Sequence, residues 1–596
     1  MISNNPVNNF FRVSAEDFKK IPGSPIAYWV GKKTLKIFQV ESRLSDISNA
    51  KAGMQTGENE VFLRLWNEVD ITKIYFNRKS IKDEVTLNYK WFPYNKGGEF
   101  KKWYGNMIFV VNWQNNGEEI KTFVDSNNRK KAVVRNEDFY FKKGITWSDV
   151  TSGFLSSRYL CNGSIHDLSG HSAFFESKTV HLCILSYLNL QFSKSIAKIL
   201  NPTLHFQIGN YSKFPSPSKF ISNEVAVIAG DNISISKADW DLRETSWDFL
   251  RSPLLTGYSA EPIETEIDEN LTDISWPSSF GKAAEISSAV ESFKVFWKEQ
   301  FLTLHKNEEE LNEIFIELYG LEDELTPDVP YNEITILQEE LDPKALKKNQ
   351  INFKDDEIIC QFISYAVGCI FGRYSLDVDG LVLANAGEGV EEYVKRVPEA
   401  SFMPDESGIL PITEEDDFSD DLPSQFRDFL QVSFGEEKYQ ENLRYIEDVL
   451  GKSIRDYLRN NFYKDHVQRY KKRPIYWMIT SPSGALKALI YLHRYTKDTI
   501  NVFLNDYLRP FEQKIDYKIK GLSQVLVSAS SSGSEKTKAQ KQIDKLNKVK
   551  TELENWERDV VYDLAVKRIE LDLDDGVKVN YGKLGSVLET VKGLNG

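Results

Sequence analysis

Near the C-terminus, Ile543, Leu546, Val549 or Lys550, Leu553, Trp556, Val560 and Leu564 recur at spacings of three and four residues. That spacing places them on one face of an α-helix. Thr499 to Val527 offers a second helical run, and the small-residue segment Ser528 to Ser534 (SASSSGS) between the two suits a reversal. A long antiparallel helical hairpin over about 499–570 is the expectation, and it fixes the end of the chain as helical.

The N-terminal part has a different rhythm. Residues 30 to 220 alternate short aromatic or β-branched runs (MIFVVNW, KTFVDS, DFYFKKGITW) with Gly and Asn turns, as a β-rich domain does. Leu182 to Leu200 reads as a helix, and NPTLHFQIGNYSKFP as a closing loop with a short strand. Ile21-Pro22-Gly23-Ser24-Pro25 is a rigid entry after a polar, frayed start. From Lys237 to Tyr319 the pattern turns helical, with Trp240, Trp247, Phe293, Trp297 and Phe301 as core anchors. An apolar helix over 355–377, a loop-rich acidic stretch over 380–423 and further helices follow. A chain of 596 residues is too long for one domain of ordinary size. The expected class is α+β: a linker over 1–29, a β-rich domain over 30–220, an acidic helical connector over 221–450, and a basic helical domain with the hairpin over 451–596.

The net charge of −14 argues against nucleic acid until it is divided along the chain. Residues 1–220 hold 30 Lys and Arg against 19 Asp and Glu, and residues 451–550 hold 21 against 8, so both are basic. The acidic excess lies between them. Affinity follows the local field once charges are separated by more than a Debye length of about 8 Å. The acidic middle would then face away from DNA, face a protein partner, or form a solvated helical face. Four cysteines do not make a disulfide framework, and no signal peptide or membrane-spanning run is evident, so a cytoplasmic location without a membrane partner is expected.

Within the first basic region, KWFPYNKGGEFKKWYGN (Lys90 to Asn106) interleaves Lys90, Lys96, Lys101 and Lys102 with Trp91, Phe92, Tyr94, Trp103 and Tyr104 around Gly97-Gly98. Lysines that track phosphates beside flat aromatic faces suit nucleic acid. The plainer reading packs Trp103 and Tyr104 into a β-domain core and leaves the lysines on an ordinary surface. Gln55-Thr56-Gly57-Glu58-Asn59, ahead of Phe62-Leu63-Arg64-Leu65-Trp66, could hold phosphates through hydroxyl and amide groups, or could be a turn capping a helix over Val61 to Glu68. In the second basic region, Arg469, Lys471, Lys472 and Arg473 are interrupted only by Tyr470, which suits phosphate contact or a solvated helix end.

These strings resemble the PglX adenine-specific DNA methyltransferases of bacteriophage-exclusion (BREX) systems. The likeness runs from Ile21 to about Gly582 and includes IPGSPIAYWV, the Gln55–Asn59 string, the Lys90–Asn106 block, ITWS (Ile145 to Ser148), Arg158 in FLSSRYL, Asn201 to Gly209 and FGRYSLD. It implies a target-recognition domain followed by a helical connector, with double-stranded DNA as partner. It also supports contacts from Lys90, Lys96, Gly97, Gly98, Lys101, Lys102, Trp103, Tyr104, Asn106, Thr56, Asn59, Arg64 and Arg158; the basic clustering by itself adds Arg469, Lys471, Lys472 and Arg473. In that family the complete protein transfers methyl from S-adenosylmethionine to adenine N6, marking host DNA and supporting anti-phage defence.

The catalytic half is not evident here. An amino-methyltransferase needs an Asn/Asp-Pro-Pro-aromatic loop to hold the target amino group of a flipped base. The nearest strings, Asn5-Pro6-Val7 and Asn201-Pro202-Thr203, lack the second proline and read as turns. Gly387-Glu388-Gly389 lies far from any βαβ repeat and reads as a turn too. The chain is therefore expected to bind no cofactor and to be inactive alone. S-adenosylmethionine would belong to a catalytic domain of the same gene or a split partner, with other BREX proteins as further partners. A chain cut from a longer one, a split gene and a partial copy kept as a spare recognition module all fit. A non-enzymatic interaction or scaffold subunit of a phage-defence complex is the alternative.

Other chemistries find little support. No GxxxxGK[ST], GxSxG or HExxH occurs. A nuclease finds the residue types in Phe462-Tyr463-Lys464-Asp465-His466 but no recognisable order. His166, His171, His181 and Cys183 lack a second pair at zinc-like spacing and read as core or edge-strand residues. Cys360 and Cys369 read as buried packing, and Arg373 with Asp377 as a helix-end ion pair.

Overall fold

A computed structural model describes residues 15–76, 87–150, 155–201, 203, 205–255 and 285–596. Aromatic and β-branched runs in the N-terminal part form β1 (Asn49–Lys51), β2 (Leu63–Leu65), β3 (Trp91–Asn95), β4 (Phe109–Asn112), β5 (Gly144–Ser148), β6 (Ser157–Leu160), β7 (Ile165–His166) and β8 (Gly170–Phe174). They make two four-stranded sheets, ordered β1-β8-β5-β6 and β2-β4-β3-β7. The first is antiparallel throughout; in the second, β7 runs parallel to β3 through Tyr94 and Ile165. Every residue of β3 is buried. Its Pro93, with no N–H to donate, lies where β4 alone flanks the strand, because β7 pairs only from Tyr94 onward. The Asn95 amide donates to Thr146 Oγ1 at 2.6 Å and ties the two sheets together.

Several elements differ from those expected. Val61 to Glu68 is not a helix: a short turn of helix (Asn59–Phe62) gives way to β2 and a 3-10 turn. Leu182 to Leu200 is two helices, Lys178–Asn189 and Gln191–Leu200, broken where Leu190 is extended. The segment after Asn201 closes on a short helix, Ile208–Tyr211, in place of a strand. The C-terminal region expected to be helical contains most of a third sheet, in which β9 (Ile409–Ile412), β10 (Tyr476–Thr480) and β11 (Lys487–Tyr491) are ordered β10-β11-β9 and antiparallel. Short apolar runs such as IYWMI and ALIYL carry no period that separates a buried strand from a buried helix.

Helices cover and join these sheets. Asn223–Asp241 starts at Ser222, whose side chain accepts from the Val225 N–H, and Ile286–Tyr319 stops at Gly320, whose φ of +63° is left-handed. The long helix buries Phe293, Trp297, Phe301 and Phe315, and the Phe315 ring meets Tyr187, Phe192 and Phe220 from the N-terminal part. The largest apolar cluster runs from Ile21 to Val591, while Phe92, Tyr94 and Val111 of the second sheet, with Trp113, pack in a smaller cluster of their own.

The hairpin is present. Helical turns run without a break from Thr499 through Val527, and the returning helix Gly533–Trp556 begins at a reciprocal cap between Ser532 and Glu535. Ile543, Leu553, Trp556 and Leu564 of the predicted stripe are buried, and the Trp556 ring lies 6.0 Å from that of Phe503.

Candidate nucleic-acid interface

The Lys96–Asn106 loop is built on backbone that glycine permits. Gly97 and Gly98 take φ of +80° and +138°, and a Cβ on Gly98 would stand 2.7 Å from the Asn106 amide. That amide in turn donates to the Glu99 carbonyl at 2.9 Å. Lys96 is half-buried, 5.5 Å over the Phe109 ring, and burial lowers its pKa. From there the loop turns inward. Lys101 donates to Asp239 at 3.1 Å, and the fully buried Lys102 pairs with Glu308. The Trp103 indole N–H donates to the other Glu308 oxygen at 2.8 Å, and Tyr104 is buried beside it. The expectation that Lys101 and Lys102 present charge to phosphates, with Trp103 and Tyr104 as stacking platforms, is thus corrected: all four are core residues. Burial pushes the Lys102 ammonium below its ordinary pKa, against the pull of Glu308.

The other N-terminal candidates are also held internally. Thr56 is buried and donates to the Asn59 Oδ1 at 2.8 Å, leaving Asn59 exposed. Arg64 donates to the Glu60, Leu63 and Asp574 carbonyls at 2.7–3.0 Å and stacks 5.5 Å over Trp91. Lys90 donates to the Asp574 carboxylate at 2.9 Å. Arg158 is fully buried; its Nη2 reaches Ser148 Oγ at 3.4 Å, while its Nε and Nη1 have no hydrogen-bond partner among the described residues. Burial lowers its pKa to about 10.

The second basic cluster divides. Arg469 pairs with Glu357 at 2.9 Å and Glu339 at 3.5 Å, so its phosphate role is corrected to an internal one. Lys471 and Lys472 project from a left-handed turn, with φ of +49° and +61°, and both are exposed. Lys471 lies 3.7 Å from Glu99 and Arg473 3.5 Å from Glu60. The structure therefore brings the three predicted segments, around Thr56–Arg64, Lys96–Asn106 and Arg469–Arg473, onto one surface. Its outward groups are Asn59, Lys96, Lys471, Lys472 and part of Arg473.

Sequence reading missed the carboxylates. Asp239, Glu308 and Asp574 hold the predicted cations from 138 to 484 residues away, and nothing local to any of these lysines announces it. The acidic middle region turns two of these three inward; it is more than a solvated face. Arg373 is not paired with Asp377: it is buried, donates to Tyr491 Oη at 2.7 Å and sits 5.5 Å over the Trp66 and Tyr374 rings, while Asp377 accepts from Ser401. His166 and His171 are buried, with burial lowering the His166 pKa to about 4. His181 stacks between Tyr159 and Phe175. Among the described residues no group of His, Cys, Asp and Glu is placed to hold a metal ion. Gly387-Glu388-Gly389 is a turn whose Glu388 pairs with Arg396. Asn201 accepts from the Thr203 N–H at 3.0 Å, an Asx turn, whereas Asn5-Pro6-Val7 lies outside the described residues.

No protein-family model matches the chain. Adenine-specific methyltransferase PglX of Lacticaseibacillus casei (strain Zhang) is 37% identical over 595 residues, covering 98% of this chain and 46% of that protein. Adenine-specific methyltransferase BrxX of Escherichia coli O9:H4 (strain HS) is 35% identical over 616 residues, covering 99% of this chain and 47% of that protein. The chain spans about half the length of these curated relatives. Over nearly its whole length, this chain is homologous to the PglX and BrxX adenine-specific methyltransferases.

Proposed function

We propose that the chain reads duplex DNA for a BREX adenine-N6 methyltransferase, with residues 30–220 as the target-recognition domain and the helical remainder fixing its placement. One observation carries this reading: 98% of the chain matches 46% of an adenine-specific methyltransferase, yet no Asn/Asp-Pro-Pro-aromatic tetrapeptide occurs in its sequence. The chemistry then belongs to a catalytic domain that binds S-adenosylmethionine, and the chain alone neither binds that cofactor nor transfers methyl. Action on host DNA implies the cytoplasm, and no helix among the described residues is long and apolar enough to cross a membrane. Calorimetry with S-adenosylmethionine, a tritiated-methyl transfer assay and a salt titration of duplex binding test the reading. Methyl transfer by the chain alone, or the absence of duplex binding at low salt, would overturn it.

The inward pairing of Lys101, Lys102, Arg469 and Lys90 favours a second reading, a non-enzymatic interaction subunit that binds other defence proteins. The same salt titration separates the two, because a scaffold shows no steep salt dependence toward duplex DNA.

A further inference from the structure

The surface where the predicted segments meet borders a cleft of about 600 Å³, within the size range of small-ligand sites. Its walls come from the Lys96–Ile108 loop, the end of the Asn223–Asp241 helix, the 338–357 segment, and the end of the Phe462–Arg469 helix with Tyr470 and Lys471 after it. Two guanidinium groups, of Arg243 and Arg469, line it. Arg243 commits Nη2 to Asp239 at 3.2 Å and Glu340 at 2.6 Å, and Arg469 commits Nη2 to Glu357 at 2.9 Å. Their remaining edges converge on one carboxylate: Glu339 lies 3.8 Å from Arg243 Nε and 3.5 Å from Arg469 Nη1.

Glu339 is half exposed, and Arg243 Nε has no hydrogen-bond acceptor among the described residues. A buried guanidinium edge left without an acceptor is costly, so a better anion at this point has a gain to realise. Two further polar groups of the lining are unpaired among the described residues. The Asn67 side chain is 4% exposed with its Nδ2 unsatisfied, and the Lys354 ammonium has no ion pair among the described residues. Lys471, 54% exposed, has as its ion pair among the described residues a 3.7 Å contact to Glu99, itself 86% exposed. Trp240, half-buried, supplies aromatic surface, and the volume far exceeds that of a lone inorganic anion.

We propose that this cleft binds a nucleotide through its phosphate, which displaces the Glu339 side chain from between Arg243 and Arg469, with Lys354 and Lys471 closing on it. Glu339 is then an internal stand-in for the phosphate and a competitor against it. The phosphate can come from a free nucleotide or from a nucleotide of DNA; only the DNA source rests on the recognition function proposed above.

The test is calorimetric titration of the full chain with ATP, with adenosine, and with a short duplex. ATP or the duplex should bind, and adenosine should not compete. Glu339→Gln, at a half-exposed position that folding tolerates, should tighten binding about three- to fivefold, the range of an exposed charge pair. Lys354→Ala should weaken it by a similar factor. A response confined to ATP assigns a free nucleotide, and one confined to the duplex assigns DNA. Duplex binding indifferent to both variants, without ATP binding, would overturn the cleft and leave DNA recognition standing. ATP binding that follows both variants, without duplex binding, would keep the cleft and remove DNA recognition. Equal affinity of wild type and Glu339→Gln for both probes, or competition by adenosine, would overturn the proposal whatever else binds.

Discussion

Lys90 and Asp574 are 484 residues apart in sequence, and the lysine ammonium donates to the carboxylate at 2.9 Å. The Trp91 indole donates to the other oxygen at 2.9 Å, and Arg64 donates twice to the Asp574 carbonyl. Beside them, the buried Glu68 carboxylate accepts from the Val577 N–H at 2.7 Å. The C-terminal segment after the hairpin is thereby clasped to the β-rich part, beside the start of β3.

This clasp makes Asp574 a pH-dependent contributor to stability. Burial alone would raise its pKa, but the Trp91 N–H and the Lys90 ammonium outweigh burial and hold it below its ordinary value. A folded pKa below the unfolded one means the contribution is complete above the unfolded value, about 3.9, and is lost as pH falls through the folded value. Asp574→Ala should cost about 2 kcal/mol at pH 7, the scale of hydrogen bonds to a charged group. Denaturant unfolding of wild type and variant should show the gap narrowing as the pH is lowered through the carboxylate range. A gap independent of pH would remove the carboxylate's role.

Lys102 should matter for folding and leave the salt dependence of DNA binding alone. Lys102→Met strands the buried Glu308 without its cation, at a cost of about 3 to 5 kcal/mol. Adding Glu308→Gln should recover part of that loss, because the stranded charge is then gone and the Trp103 indole keeps an acceptor. Thermal unfolding reads both effects. A lower salt slope for duplex binding with unchanged stability would return Lys102 to the surface.

What could be read from sequence depended on whether the information was periodic. The Ile543–Leu564 stripe and the SASSSGS reversal give the hairpin directly, because helix period and turn composition are local properties. Trp103 and Lys102 show the limit. An aromatic-lysine alternation is the same string whether the lysines face phosphates or buried carboxylates, and the partner Glu308 is 206 residues away. Backbone details behave likewise: Gly97-Gly98 announces a turn, but the close approach of Asn106 that requires glycine is tertiary. β10 and β11 were hidden for a different reason, since strands buried on both faces lose the alternation that identifies them.

Trp556 tests whether the hairpin is packed or merely presented. It is buried against Phe503 at the base of the two helices, where the returning helix passes into a π-helical turn at Glu557–Val561. Trp556→Ala should cost about 3 to 5 kcal/mol as a large-to-small core substitution. The exposed Tyr517, on the same hairpin, should tolerate alanine within about 0.5 kcal/mol. Equal costs at the two positions in thermal unfolding would refute the packing.

The exposed turn after Arg469 is where DNA contact should register. Lys471 and Lys472 are exposed, take left-handed backbone and stand over the loop that holds Lys96 and Glu99. Lysines without tight internal partners are free to neutralise phosphates and release counterions, and each such contact adds about one to the slope of log affinity against log salt. Replacing both with alanine should weaken duplex binding about equally for all sequences and lower that slope by about two, with thermal unfolding unchanged. Lys101→Ala should instead lower stability and leave the slope intact, since its ammonium is spent on Asp239. The two variants thus separate the surface from the core of what reads, in sequence, as one basic theme; a slope that follows Lys101 and ignores Lys471 and Lys472 would reverse the assignment.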